Sequence, residues 1–444
     1  MNTLEIGILY TVATVLIMFS GVPIAFAVGI VALIFMFIFM PFSQVLIVAE
    51  SIYSELNNFT LLTIPLFIFM GAAIGKSRAG SDLYNSLNKW LYKIPGGLGI
   101  ANTLACSIFA AMCGSSPATC AAIGSSGIPE MRKRGYSNAL ATGIIGAGGT
   151  LGILIPPSLT MILYGLATEQ SIGKLFMAGV GPGILLTLLF SIWVVIKFLL
   201  EKKSKVADIA NNQTPIVENY SLREKLATLP RFSPFLLLIL FIMYALYGGI
   251  ATPSEVAGIG AIGAFLLVVV VYKTWRWRDL KPIFAGTAKE SSMIMLIIGT
   301  SFLFTYVMSY LHITQAVAEW LVSLNLSKWQ FIFWINILLL FLGCLLPPVA
   351  IILMVMPIIL PPMKALNIDL IWFSAILTVN MEMGLITPPM GLNLFVINGV
   401  APDIPFKDIM KGIAPFLIIM VIGIILLCIF PEIVMWLPNK YKGV

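Results

Sequence analysis

Charge is scarce in this chain. Only 10% of its 444 residues are Asp, Glu, Lys or Arg, where soluble domains carry about a quarter. Hydrophobic residues make up 59%. A soluble fold of this length has no means of hiding so much apolar surface, so lipid must be part of its solvent. Histidine is nearly missing: His312 is the single one, near a span end with no titratable partner close in sequence. It reads as a loop residue, and no paired His, Cys or carboxylate cluster offers itself for catalysis, so an enzyme is not expected. The five cysteines, Cys106, Cys113, Cys120, Cys344 and Cys428, all lie in apolar stretches without zinc-type spacing to histidine, which argues against a metal finger or a disulfide framework. The N-terminus lacks the basic region and small-residue cleavage site of a signal peptide, so residues 4–20 are expected to stay as a first span.

What charge there is carries information. The net charge of +7 and pI of about 9.1 do not point to nucleic acid, because the basic residues form short clusters between apolar runs, the pattern of cytoplasmic loops. Apolar runs predict spans at 4–20, 23–40, 59–76, 137–168, 174–200, 234–250, 255–272, 290–310, 369–400 and 412–432. Two more apolar stretches, 97–128 and 329–362, are each long enough for two short helices. The first holds Gly114-Ser115-Ser116-Pro117 near its middle and the second Pro347-Pro348. Basic residues flank the first on both sides (Lys89 and Lys93 before, Arg132-Lys133-Arg134 after), so it reads as a hairpin that enters and leaves on the cytoplasmic side. The second, flanked by Lys328 and Lys364, reads as a hairpin from the opposite side. With ten spans and two hairpins both termini fall outside, and 21 of the 26 Lys and Arg residues fall inside. The reverse topology inverts that bias.

The chain also repeats itself. At a spacing of 232 residues, Gly152-Ile153-Leu154-Ile155-Pro156-Pro157 aligns with Gly384-Leu385-Ile386-Thr387-Pro388-Pro389, and Pro129-Glu130-Met131 with Pro361-Pro362-Met363. The predicted division is a first repeat at 1–200, a cytoplasmic connector at 201–233 and a second repeat at 234–444. Each repeat holds five spans and one hairpin. Five is odd, so the second enters the membrane from the opposite face, giving an inverted repeat. The fold class is all-α and polytopic, with a hairpin and a broken helix (137–168 and 369–400) in each half.

The proline pairs matter because each removes two amide donors and disfavours helix in the residue before it. A helix broken in the bilayer exposes polar backbone that protein, water or a ligand must satisfy. Around the breaks cluster Ser115, Ser116, Thr119, Thr150, Ser158, Thr160, Asn380, Thr387 and Asn393, and uncharged oxygen ligands suit sodium. Glu382 stands one turn before the second break. An acid inside a span either holds a cation, pairs with a substrate group or bonds to backbone at a helix end. Ser158, Asn380, Glu382 and Asn393 are the candidate substrate contacts. Glu255, after Thr252-Pro253-Ser254, reads instead as part of a helix cap. An ATP-driven pump is set aside: Gly75-Lys76-Ser77 has the ending of a phosphate-binding loop, but Met70 stands where its first glycine belongs.

These stretches resemble a known family. Gly149 to Ser158 and Asn380 to Phe395, with Cys113-Gly114-Ser115-Ser116-Pro117-Ala118-Thr119 and Thr252 to Gly258, resemble the large membrane subunit of TRAP (tripartite ATP-independent periplasmic) transporters, and the likeness covers essentially the whole chain. The resemblance implies a sodium-coupled, elevator-type importer of organic acids such as C4-dicarboxylates or sialic acids in a bacterial inner membrane. It implies two partners, a small four-span membrane subunit and a periplasmic substrate-binding protein. The hairpins and broken spans form the moving part. By the same resemblance one sodium site uses Ser115 and Ser116 with backbone near Gly152, Ile155 and Pro157, at a tip marked by Gly114 and Pro117. A second lies near Gly384, Thr387 and Pro389, facing the Pro347-Pro348 tip. The family often has a polar residue near position 347, where this chain has proline, which leaves backbone ligands there. The second reading is another ion-coupled carrier, or a passive channel, acting without a binding protein; sodium dependence of uptake separates the channel from the sodium-coupled importer.

Overall fold

The computed structural model describes residues 2–208, 220–389 and 391–440. Among them the chain is helical, without a strand. Part of the expected connector, residues 209–219, lies outside the described residues. Among the described residues, six helices have the length and composition to cross a membrane, and eight further apolar helices have 10–17 residues.

The first two helices, Thr3–Phe19 and Ile24–Phe39, pack with the 34-residue helix Trp277–Tyr310. Tyr10 is the pin of this body. Its ring stacks on Phe304 with centroids 4.3 Å apart and meets Phe35 edge-on at 4.7 Å. Its hydroxyl donates to the Phe304 carbonyl at 3.3 Å, which satisfies the one polar atom of a fully buried side chain. Helix Thr63–Lys76 lies against Pro253–Val270. At the start of the latter, Thr252 N–H donates to Glu255 at 2.7 Å and Glu255 N–H donates back to the Thr252 hydroxyl at 3.4 Å, the reciprocal cap foreseen from the sequence.

Among the described residues, three helices of more than ten residues lie outside the expected spans and hairpins. Phe42–Leu56, Ala79–Leu91 and Ile313–Ser323 mix polar with apolar positions at helical spacing, so a search for continuous apolar runs passes over them. Ala79–Leu91 carries the far side of the connector: the Ser86 and Thr228 hydroxyls lie 2.9 Å apart, and the Lys225 ammonium sits 5.0 Å from the centre of the Tyr92 ring.

The two apolar stretches each form two helices. Gly97–Cys113 and Ser116–Lys133 pack against each other. In the second stretch, Lys328–Gly343 packs on Leu370–Leu385, while Pro348–Ala365 packs on Leu159–Thr168 and on Trp277–Tyr310. The helix Asn138–Thr150 gives way to a short 3-10 turn, Leu151–Ile153, and helix resumes at Leu159–Thr168. Leu370–Leu385 likewise stops, and helix resumes at Leu392–Val400. The peptide bonds Pro156-Pro157 and Pro388-Pro389 in these interruptions are cis.

Candidate functional site

The first tip is built on a residue that only glycine suits. Helix Gly97–Cys113 ends at Gly114 with φ of 60°, a left-handed conformation that a Cβ penalises. Ser115 is extended, and Ser116 and Pro117 open the next helix, where proline's fixed φ and missing N–H cost nothing. Thr119 turns its hydroxyl back to the Ser115 carbonyl at 2.9 Å.

This tip sits directly on the first interruption. A Cβ added at Gly152 would lie 2.8 Å from the Ser115 carbonyl carbon and from the Ser116 nitrogen. Only glycine permits that approach, which brings the backbone of Gly152 to Ser115 and Ser116. Within the interruption, Ser158 donates to the Ile153 carbonyl and accepts from Met161 N–H. Its hydroxyl is thus engaged locally, in closing the turn and capping Leu159–Thr168. Ile155 packs toward Gly183 on helix Ile172–Asp208, and Pro157 is buried.

The second interruption meets the other helix pair one turn deeper. A Cβ at Gly384 would lie 2.5 Å from the carbonyl carbon and oxygen of Gly343. The residue nearest Gly384 is therefore Gly343, at the end of Lys328–Gly343. Pro347 caps the next helix in an extended conformation and Pro348 opens it. Thr387 donates to the Met383 carbonyl at 2.6 Å. Pro388 and Pro389 are exposed, in contrast to the buried Pro156 and Pro157.

The two halves of the site are joined by side chains far apart in sequence. Asn393 donates to the Ser116 hydroxyl at 2.8 Å, linking the first tip to the helix after the second interruption. Asn380 donates to both the backbone and the side-chain oxygen of Asn336 at 2.9 Å, clamping Leu370–Leu385 to Lys328–Gly343. Tyr164 donates to the Leu370 carbonyl at 2.7 Å, which ties the two interrupted helices together. Glu382 is fully buried. It faces the backbone of Leu154 in the first interruption without closing a hydrogen bond of normal geometry.

The leftover atoms indicate what the arrangement can hold. Among the described residues, both Glu382 carboxyl oxygens and the Oδ1 atoms of Asn380 and Asn393 are buried without a hydrogen-bond partner. Each is an oxygen acceptor, and an orphaned buried acceptor costs about 1–3 kcal/mol or more. A hard cation with oxygen ligands relieves that cost. Among the described residues no group of three or more His, Cys, Asp or Glu side chains comes together. Helix N-termini at Ser116, Leu159, Pro348 and Leu392 add partial positive charge suited to an anion.

Sequence reasoning passed over Asn336 and Gly343. Asn336 had a visible signal, a lone amide inside an apolar run. Gly343 had none, since its part is played by backbone. At the outer edge, Arg132 reaches Asp403 at 2.6 Å. That hydrogen bond holds the Asp403 carboxyl below its ordinary range and links the end of Ser116–Lys133 to the loop after Leu392–Val400.

Solved structures first define the class. The chain resembles the Alcanivorax borkumensis YdaH transporter, with a TM-score of 0.57 and 14% identity over 89% of this chain and 88% of that one. It resembles Neisseria gonorrhoeae MtrF with a TM-score of 0.59 and 13% identity over 88% and 83%. The chain shares its all-helical fold with these two proteins. Sequence comparison then gives the family: residues 11–433 match the model for the tripartite ATP-independent periplasmic transporter, DctM component, and the chain belongs to that family, whose members are transport subunits and not enzymes. It is 39% identical to the C4-dicarboxylate TRAP transporter large permease protein DctM of Pseudomonas aeruginosa over 88% of this chain and 89% of that protein. The Rhodobacter capsulatus protein of the same name is 35% identical over 95% and 96%. The sialic acid TRAP transporter large permease protein SiaM of Vibrio cholerae is 29% identical over 96% and 97%.

Proposed function

We propose that this chain is the transport subunit of a sodium-coupled importer of organic acids, C4-dicarboxylates or sialic acid-like carboxylates, working as an elevator in a bacterial inner membrane. The observation that carries the reading is the meeting of two interrupted helices with the first tip. Gly152 approaches Ser115 and Ser116 by backbone, Asn393 bonds to Ser116, and the Oδ1 of Asn393 is left buried without a hydrogen-bond partner. Sodium, once bound, supplies the positive charge that oxygen lacks. Ser115, Ser116 and the backbone of Gly152, Ile155 and Pro157 would hold one ion. Gly384, Thr387 and Pro389, now with Gly343, would hold another.

The inverted repeat is supported by helix bounds that recur at close to 232 residues: Gly97–Cys113 with Lys328–Gly343, Ser116–Lys133 with Pro348–Ala365, Asn138–Thr150 with Leu370–Leu385. One departure is that Phe42–Leu56 and Thr63–Lys76 correspond to the single helix Trp277–Tyr310. The interrupted helices and both pairs would move as one body past the Tyr10–Phe35–Phe304 body. A small four-span membrane subunit and a periplasmic binding protein complete the machine, with both termini periplasmic. The relatives support this partnership: the isethionate TRAP transporter permease protein DctMQ of Oleidesulfovibrio alaskensis is long enough that this chain spans 64% of it.

The sodium site has a test that needs no substrate. The purified chain gains thermal stability from sodium chloride but not from choline chloride, since a ligand that binds only the folded state stabilises it. Ser115→Ala with Ser116→Ala raises the sodium concentration for half the effect about tenfold, the loss expected for one ligand at about 1.4 kcal/mol. Equal responses to sodium and choline would refute sodium binding. Screening carboxylates against a periplasmic binding protein that assembles with this chain then names the substrate.

A further inference from the structure

Two cavities adjoin between helices Thr63–Lys76 and Trp277–Tyr310. The inner one, about 230 Å³, reaches the first tip at Cys113 and Ser115 and is lined on other sides by Ala121 and Glu290. The outer one, about 830 Å³, is lined by the cations Lys76, Arg78, Lys273 and Arg278 and by the carboxylates Asp82 and Asp279. Lys76 and Pro282 line both, so the two make one passage from the tip to the surface.

Charge is distributed unevenly along it. The inner cavity has a single carboxylate, Glu290, whose charge is within electrostatic reach of the Cys113 thiol at the tip. The mouth has four cations against two carboxylates. Lys76 lines both cavities, so the inner one holds one carboxylate and one cation. Glu290 is the charge that acts on the thiol at the tip, and an anion beside Ser115 meets it with the net positive mouth further out. Walls of low polarity (Gly71, Ala118 and Ala121 among them) keep that field from being screened as it is in bulk water.

We propose that this passage is the cytoplasmic release route for anionic cargo, and that Glu290 is the residue that expels it. Glu290 belongs to Trp277–Tyr310, the helix that also carries Phe304, and so to the body placed as stationary above. The tip belongs to the moving body. The repulsion is then felt only when the tip faces this passage, which lowers anion affinity on the side where cargo must leave. Binding on the other side is untouched. Only interactions that differ between two states shift the balance between them. The inference rests on reading the chain as a transporter of anions.

Thiol labelling tests the field without needing transport. Ala121→Cys introduces a thiol on the wall of the inner cavity, with the wild-type chain as background for the native cysteines. Inside-out membrane vesicles are treated with a methanethiosulfonate bearing either a trimethylammonium or a sulfonate group. The introduced thiol reacts from the cytoplasmic side and prefers the cationic reagent. Adding Glu290→Gln lowers the ratio of cationic to anionic rates about tenfold, since one charge acts with opposite sign on the two reagents. Adding Glu290→Asp retains the ratio, and Lys76→Gln with Arg278→Gln raises it. An unchanged ratio in Glu290→Gln overturns the proposal, as does labelling that occurs only from the periplasmic face. Failure of the transporter reading would show separately, as the absence of binding-protein-dependent carboxylate uptake by the full complex.

Discussion

Replacing Gly384 by alanine asks whether the second interruption depends on backbone touching backbone. In the native chain a Cβ here would lie 2.5 Å from the carbonyl carbon and oxygen of Gly343 and 2.6 Å from its Cα. None of these atoms is the end of a flexible side chain, so no rotamer change relieves the overlap. Reaching an ordinary contact near 3.4 Å requires Lys328–Gly343 and Leu370–Leu385 to part by about 0.9 Å. Forced expansion of a packed interior costs roughly 1–3 kcal/mol. The same move strains the two hydrogen bonds from Asn380 to Asn336. Against this, alanine gains about 1 kcal/mol over glycine in a helix. Gly399, which lies in Leu392–Val400 with nothing near its Cβ position, gains the same term without the clash. Gly384→Ala is therefore expected to fall below Gly399→Ala by about 1–3 kcal/mol. Denaturation in detergent, followed by tryptophan fluorescence, measures the difference, and the sodium titration described above shows weaker binding for Gly384→Ala alone. Equal stabilities and equal sodium responses for the two variants would refute the argument, because the approach of Gly343 would then carry no consequence.

Asn393→Ala leaves the buried Ser116 hydroxyl without its donor, and a loss of about 1–3 kcal/mol follows; Ser158→Ala, which removes a local cap, costs about 1 kcal/mol without changing the sodium response, so the pair separates the cross-link from the cap. Glu382→Gln removes an ionisable group that has no partner among the described residues; the chain stays folded at equal or greater stability while uptake by the full complex falls at least about tenfold, and full uptake would reduce Glu382 to a packing element. The carboxyl of Asp403 is held below its unfolded value by Arg132, so its contribution is present above the ordinary carboxylate pKa and disappears as pH falls through the lower folded one; comparing thermal stability of wild type and Asp403→Asn on acidification checks this, with the curves expected to converge at the acid end.

Much of the fold was legible because the features behind it are local. Pro156-Pro157 and Pro388-Pro389 withdraw amide donors at fixed points of the chain and so weaken the helix there, although the pair Pro361-Pro362 is carried inside Pro348–Ala365. Gly114 and Pro117 mark a tip by backbone preference alone. The three helices Phe42–Leu56, Ala79–Leu91 and Ile313–Ser323 were hidden, since their signal is periodicity and not length of apolar run. The site was less open to reading. Asn393 and Ser116 were visible as polar residues in apolar surroundings, but their hydrogen bond depends on how distant segments dock. Gly343 presents no side chain at all. Ser158 carries a hydroxyl whose partners, Ile153 and Met161, only the turn geometry decides. Glu290 stands beside Lys289 in the sequence, and only the cavity next to it gives it meaning.

The helix Trp277–Tyr310, at 34 residues, is about 51 Å long, while the hydrocarbon layer is about 30 Å thick. Roughly 20 Å must therefore stand in the headgroup region or beyond, or be absorbed by leaning. Trp275 and Trp277 are exposed at one end and Tyr310 at the other, side chains that settle at the lipid–water boundary. A rod so moored sets the depth at which Glu290 and Phe304 sit, and acyl-chain length becomes a control on that depth. Membranes of thinner lipid would lean the rod and displace both residues together.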